Sequence, residues 1–247
     1  MMYKKILLFV FIMIFGVTQN SLAEDSGFLS DYSGLEENTE IGMENSRTYL
    51  HPDGFKKLAG YKAIMIDQPE FSVASDSKVK SLKPDDMVAL AEALRDVLNG
   101  RLAENYFIVD KPGPEVLWLR VATSNLYIKK AKRSILSFTP AGFVLHTIKN
   151  AATSDITKKI SFVEVTVEAE LLDSQSGESI AAFVTKRGQR KDKAKKQKME
   201  PSSWEEMLAI LDTLGARLDC RLDNARVAEA EWKNCVELFP EPDLDEK

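Results

Sequence analysis

The stretch from Ile160 to Arg190 constrains the fold more than any other part of this sequence. Val163, Val165, Val167, Ala169 and Leu171 alternate with Glu164, Thr166, Glu168 and Glu170, the period-two pattern of a strand with one buried and one wet face. Asp173-Ser174-Gln175-Ser176-Gly177 follows, rich in residues that bond their own backbone or accept positive φ, and a second apolar run starts at Ile180. The reading is a long β-hairpin. Facing Leu171 with Ile180 pairs Ala169 with Ala182 and Val167 with Val184 on the apolar side, and Glu164 with Arg187 on the other. The glutamate row then reads as a charged outer face exposed to water, which resists aggregation. Work as a catalytic carboxylate pair would require an apolar pocket to raise one pKa.

A hairpin needs a cover to be stable, and the other segments supply one. Tyr61 to Asp67 reads as a short strand. Pro84 to Glu104 reads as a helix: Pro84 suits the first turn, and Met87, Leu90, Leu94, Val97, Leu98 and Leu102 fall on one stripe. Tyr106 to Val109 is a strand, Lys111-Pro112-Gly113-Pro114 a turn. Val116 to Ile128 is too apolar at its start for a one-sided strand and is placed centrally in the sheet. After the hairpin, Ser203 and Glu206 have capping-box spacing, and Met207, Leu208, Leu211, Leu214, Leu218 and Leu222 form the stripe of a last helix. Trp118 and Trp204 take core-like positions. The predicted architecture is α+β, a mostly antiparallel sheet of about five strands with two helices packed on one face. Residues 59–226 form that domain. Residues 24–58 precede it as an extended acidic leader laid along it through Phe28, Leu29, Tyr32 and Leu35, and residues 227–247 follow as a partly disordered extension.

The first 23 residues read as a secretory signal: Lys4 and Lys5, the apolar run Ile6 to Val17, and small residues before a cut after Ala23. The apolar run falls short of the roughly 20 residues that cross a bilayer. Export to the periplasm, peripheral to the outer membrane, is the expected location. The chain carries 33 basic and 38 acidic residues, a net charge of −5, which argues against general nucleic-acid binding.

Two cysteines, Cys220 and Cys235, are present. On one straight helix they stand about 22 Å apart, beyond the roughly 7 Å Cα limit of a disulfide. An intrachain bond therefore requires the helix to end between them, and Asn224 is the best place. The alternatives are free thiols or bonds to another molecule; an even pair in an oxidising compartment favours the intrachain bond.

The catalytic inventory is thin. No nucleophile elbow, HExxH or phosphate-binding glycine loop is present. His51 precedes Pro52-Asp53-Gly54 and reads as a turn residue; His146 lies among apolar neighbours and reads as a packed one. No catalytic residue, cofactor or metal is expected. The more informative constellation is basic. Lys129, Lys130, Lys132 and Arg133 leave one strand, and Arg190, Lys191, Lys193, Lys195, Lys196 and Lys198 follow another. Should the two strands run the same way, both clusters and the apolar segment Ile135 to Ala152 meet at one edge, a composition suited to an anionic membrane surface.

Ser26-Gly27-Phe28-Leu29-Ser30-Asp31-Tyr32-Ser33, Tyr61 to Asp67, Tyr106 to Pro112, Ala169 to Glu178 and Ser202-Ser203-Trp204 together resemble a bacterial cell-envelope family known as domain of unknown function 3313. The resemblance covers nearly the whole chain after the signal, up to about Asp223. It implies an envelope setting and assigns no activity to any residue. Many members resemble lipoproteins, whereas this chain has no Cys near the end of its apolar run. The functional expectation is a non-enzymatic binding or interaction module at a membrane surface or protein partner. The alternatives are an envelope hydrolase drawing on Glu164, Glu168 or His146, and a periplasmic protein that binds a small ligand.

Overall fold

A computed structural model describes residues 25–38, 45–77, 84–130, 160–188 and 204–240. The signal segment, the apolar segment Ile135 to Ala152 with His146, and the basic residues Lys132, Arg133, Arg190, Lys191, Lys193, Lys195, Lys196 and Lys198 lie outside the described residues. The strands are β1 (Glu36–Glu37), β2 (Ser46–Leu50), β3 (Ala63–Ile66), β4 (Glu70–Val73), β5 (Phe107–Val109), β6 (Val116–Lys130), β7 (Ile160–Asp173) and β8 (Ser179–Gly188). The helices are α1 (Gly54–Leu58), α2 (Pro84–Leu102), α3 (Trp204–Asn224) and α4 (Cys235–Leu238).

The class is α+β, but the sheet is larger than five strands and is mixed. Eight strands join in one sheet in the order β1-β2-β8-β7-β6-β3-β5, with β4 also on β6. The β7–β8 hairpin and its neighbours are antiparallel, whereas β3 runs parallel to both β5 and β6, and β4 parallel to β6. The parallel part follows from chain order, since α2 carries the chain back between β3 and β5 as a crossover does. β6 is central, with β7 on one side and β3 and β4 on the other. Residues 24–58 were set apart as a leader, yet β2 pairs with β8 along five residues and β1 with β2. That leader thus extends the sheet.

One main core lies between the sheet and the two long helices. Leu117, Leu119, Val121, Val165, Val167 and Leu171 from the sheet meet Leu90, Leu94, Leu98, Leu208 and Leu211 from α2 and α3. Asn125 has φ 51°, and the β6–β7 register is irregular there. The extra residue reverses which side chains face inward, so the core row continues at Leu126 and Ile128. Across the helices, Arg101 makes a two-pronged pair with Asp212 at 2.7 and 2.5 Å.

The hairpin forms with its turn where expected and a register one residue different. Leu171 faces Ala181, Ala169 faces Phe183, Val167 faces Thr185 and Glu164 faces Gly188, with an irregularity between Leu171 and Leu172. A one-residue slip moves a whole strand's side chains to the other face. Ala182 and Val184 therefore leave the helix side and join Leu29, Phe28, Tyr32, Leu35 and Tyr49 in a second, smaller core. The predicted register assumed a single apolar side; a second apolar cover makes the other register the better one.

That same cover overturns the solvated glutamate face. Glu164, Glu168 and Glu170 are 7%, 0% and 1% exposed. Glu168 accepts from the Tyr32 hydroxyl at 2.5 Å and from Ser124 at 2.5 Å. Glu170 accepts from the Ser30 hydroxyl and pairs with Arg120 at 3.2 Å. Arg120 in turn lies under the Phe28 ring, 4.7 Å from its centroid, and under that of Trp118. Trp118 stands on this same side, not in the helix-facing core. Glu164 pairs with Lys186 at 3.3 Å. Buried carboxylates are tolerable only with such partners.

Tyr32 also closes its own loop. Its oxygen accepts the backbone N–H groups of Gly27, Phe28 and Leu29 at 3.0, 2.9 and 3.1 Å. Giving its proton to a carboxylate makes the oxygen a better acceptor, because chained hydrogen bonds polarise one another. Gly27, at φ 86°, takes the left-handed conformation that this turn needs and that side chains resist.

The hairpin turn is equally anchored. Asp173 accepts from Gln175, Ser176 and the Tyr61 hydroxyl. The backbone N–H of Ser176 is the main cause holding its carboxyl below the usual range; burial, then the bond to Asp173, raises the Tyr61 hydroxyl. Ser174 Oγ bonds both the N–H and the carbonyl of Gly113, tying this turn to the Pro112-Gly113-Pro114 turn.

Candidate functional site

The helices leave part of the sheet uncovered. Beside α3, where small Ala169 and Ala181 face the helices, a cavity of about 520 Å³ opens. Its floor is Val121, Val167, Ala169, Leu171, Ala181 and Phe183. Its roof is Leu94 and Leu98 of α2 with Leu211, Leu214 and Leu218 of α3. Leu50, Phe55 and Leu58 close one end. Shape follows from composition: two alanines on adjacent strands leave volume that larger side chains would fill, and Gly215 lets α3 lie close against Leu98 and Arg101 of α2.

The C-terminal stretch builds the mouth. α3 ends at Asn224, the chain folds back, and Cys235 bonds Cys220 with 5.7 Å between their Cα atoms. The Asn224 side chain clasps the returning chain: it accepts from Lys233 N–H and donates to Lys233 carbonyl, both at 2.9 Å. Asn234 caps α4 by accepting from Val236 and Glu237 N–H. Arg217 Nε donates to the Phe239 carbonyl at 2.9 Å. Trp232 stacks on Phe55 with ring centroids 4.5 Å apart. Residues from Val227 to Pro240, expected as a partly disordered extension, thus form a structured strap against α3.

The charged side chains lining this cavity, among the described residues, are Arg217, Arg221 and Lys233. All three are basic. Arg217 is 3% exposed, so its charge sits within the wall. Lys233 lies 3.8 Å from Asp223, an acid that is not part of the lining.

The glutamates once considered as a catalytic set are elsewhere. They share the sheet side that carries the leader, opposite the cavity floor, and their carboxylates are engaged by leader and strand groups. His51 is a turn residue as read: Nδ1 accepts from Asp53 N–H at 3.0 Å, and Nε2 lies 3.3 Å from Glu178. Among the described residues, no group of His, Cys, Asp and Glu is arranged to hold a metal ion.

Of the basic clusters, Lys129 and Lys130 end β6, and β8 ends at Gly188. Both strands are antiparallel to β7 and so leave the sheet at the same end. The cavity's basic rim was missed in the sequence. Its signal was present, since Arg217 and Arg221 interrupt the α3 apolar stripe at three-residue steps from Leu214 and Leu218. The Lys233 contribution depends on the disulfide-held return and has no local signal.

The fold and cavity define a helix-covered mixed-sheet domain with an apolar chamber beneath a basic mouth. The chain belongs to the family described as protein of unknown function (DUF3313), whose model matches residues 24–218. The leader and hairpin-turn motifs that carried the resemblance are the two anchoring devices described above. No curated protein matches the sequence. Among solved structures, a dodecamer of a PelC point variant from Paraburkholderia phytofirmans is 13% identical over 57% of this chain and 77% of that chain, with a TM-score of 0.28. A PelC dodecamer from the same organism in another crystal form is 11% identical over 57% and 80%, with a TM-score of 0.29.

Proposed function

We propose that this protein is an exported, non-enzymatic binding module of the cell envelope that takes a small apolar ligand into the cavity between α3 and the sheet. The observation that carries this reading is the cavity itself: about 520 Å³, within the roughly 300–1,000 Å³ of ligand sites, with apolar walls and a few polar groups at one side. The N-terminal pattern of basic pair, apolar run and small residues supports export. The neutral fluorophore N-phenyl-1-naphthylamine is expected to bind saturably, with one site per chain. Ala181→Phe and Leu214→Trp fill the chamber from floor and roof and are expected to weaken that binding about tenfold, roughly 1.4 kcal/mol, with thermal unfolding still cooperative. Unchanged affinity in both folded variants rules the cavity out as the site.

A second reading has its own support, the common exit of β6 and β8. It places Lys129 and Lys130 at the sheet end from which the chain leads into the basic residues Arg190 to Lys198, a surface suited to anionic lipid. Co-sedimentation with vesicles containing phosphatidylglycerol is expected to be lost at high salt and when the five lysines from Lys191 to Lys198 are changed to Gln. Binding indifferent to both changes counts against a membrane role.

A further inference from the structure

We infer that the chamber holds one extended alkyl or acyl chain, laid across the strands with its polar head left in water at the mouth. This rests on the cavity being a binding site and adds the class of ligand. Strand register gives the shape. Leu119, Leu171, Ala181 and Leu50 stand side by side on β6, β7, β8 and β2, and Val121, Ala169, Phe183 and Thr48 form the next row on the same face. Both rows line the cavity. Neighbouring strands lie about 4.8 Å apart and alternate residues about 7 Å, so the floor is a trough roughly 14 Å long and two rows wide. Each row has one alanine on a middle strand, Ala169 on β7 and Ala181 on β8, which deepens the trough there. That length matches the tail of one membrane leaflet, half of a hydrocarbon core of about 30 Å. The floor also twists by about 20–25° per strand, roughly 60° from β6 to β2. A flexible chain follows such a twist; a rigid fused-ring molecule does not.

The two ends of the trough differ. At β6 it is closed: Leu119 and Val121 are 1% and 6% exposed, and α2, which packs on the β3 and β4 side, adds Leu94 and Leu98 to the roof. At β2 it is open, with Leu50, Phe55 and Trp232 at 41%, 38% and 40% exposed. A chain therefore enters past these three with its methyl end toward β6. The polar side chains of the mouth are already engaged by the protein. Arg217 donates to the Phe239 carbonyl, Lys233 pairs with Asp223, Asn224 holds the Lys233 backbone, and Arg221 has its own partner within the chain. Recognition then falls to the apolar chain, through the area it buries.

The test displaces N-phenyl-1-naphthylamine from the whole protein with alkyl maltosides from octyl to hexadecyl, each below its micelle concentration. Displacing strength is expected to rise about fourfold per methylene, the roughly 0.8 kcal/mol of a buried CH₂ group, and to level off once the tail outgrows the trough. Alkanoates are expected to level at the same chain length, because the trough and not the head sets it. Val121→Phe, at the closed end, is expected to move the levelling point to a tail a few carbons shorter while octyl maltoside displaces the probe as before. Ala169→Leu, one strand nearer the mouth, moves it further and serves as the second block should Val121→Phe fail to fold. Hexadecanoate against hexadecanoyl lysophosphatidylcholine then separates a free fatty acid from a monoacyl phospholipid as the source; displacement by either, ahead of the fused-ring lithocholate, agrees with the inference. Displacement indifferent to tail length, a levelling point that neither folded variant moves, or lithocholate acting ahead of both chains overturns the single-chain trough and leaves the cavity reading standing. Failure of the neutral probe to bind overturns the cavity reading and the trough with it.

Discussion

Tyr32→Phe is expected to lower the stability of the protein by about 2–4 kcal/mol and to expose the segment around Ser26 to Ser33 to protease, although it removes a single oxygen. Two losses combine. The Tyr32 hydroxyl is one of the two hydroxyls held at 2.5 Å by Glu168, a carboxylate with no exposure, and a hydrogen bond to a charged group is worth roughly 1.5–3 kcal/mol. The N–H groups of Gly27, Phe28 and Leu29 also lose their shared acceptor. These regain water if the leader lifts, which is why detachment is the expected response. Phe28 then leaves Arg120, and Leu29 uncovers Ala182 and Val184. Chemical denaturation of Tyr32→Phe, Glu168→Gln and the double variant measures the coupling. A positive coupling above about 1 kcal/mol is expected for groups in one network. Neutral-probe binding is expected to be unaffected, since Phe28, Leu29 and Tyr32 cover Ala182 and Val184 on the face of the sheet opposite the cavity floor. A Tyr32→Phe stability loss under about 0.5 kcal/mol, the scale of an ordinary surface change, contradicts the latch.

The fate of the glutamates explains how much could be read in advance. Alternation along β7 assigned faces correctly: Val165, Val167 and Leu171 do meet the helices. What alternation cannot state is whether the second face meets water or protein, because a glutamate with a hydroxyl partner looks the same in sequence as a wet one. The partner, Tyr32, is 136 residues away along the chain. Its only local trace was the apolar series Phe28, Leu29, Tyr32 and Leu35 in an otherwise acidic segment. The same missing cover displaced the β8 register, since Val184 was assigned to the helix side for want of another apolar surface. Two of the short strands, β3 and β5, were read from Tyr61 to Asp67 and Tyr106 to Val109; what stayed hidden was their parallel pairing, which no local pattern states. β4 is four residues long and holds too little pattern to distinguish from a loop, so that only its pairing with β6 makes it a strand. Helices α2 and α3, at 19 and 21 residues, repeat their stripe often enough to be read outright. The cavity was not legible, because it is an absence of side-chain volume shared by Ala169 and Ala181 on two strands. Its basic rim was half legible, at Arg217 and Arg221 on the apolar stripe.

Loss of the Cys220–Cys235 bond is expected to cost about 3 kcal/mol, the value for closing a loop of about 15 residues in the unfolded chain. The cysteines are 15 residues apart. The cost has a local consequence at the mouth, since the strap between them carries Trp232, Lys233 and Asn234 of the cavity lining. Both the reduced protein and the double Cys→Ser variant are expected to unfold at lower denaturant, with a denaturant slope somewhat steeper because the unfolded chain without the cross-link is more expanded. The strap has a second fastening in Asn224, whose amide holds both backbone groups of Lys233. Asn224→Ala is expected to cost about 1–3 kcal/mol, because it removes two hydrogen bonds to Lys233, each worth roughly 0.5–1.5 kcal/mol. The two fastenings differ in kind: the disulfide acts largely on the unfolded chain, and Asn224 acts only on the folded one. Reduction therefore lowers stability while Asn224 still holds Lys233 at the mouth, so binding of the neutral probe survives in the reduced protein. Asn224→Ala in the oxidised protein leaves the cross-link but frees Lys233 and its neighbour Trp232 to move, so probe binding falls more than stability does. Fluorescence of Trp232 against Phe55, with Trp232→Phe as the blank, follows the strap directly. Loss of probe binding on reduction with none in Asn224→Ala would mean that the cross-link, and not the amide clasp, positions the mouth.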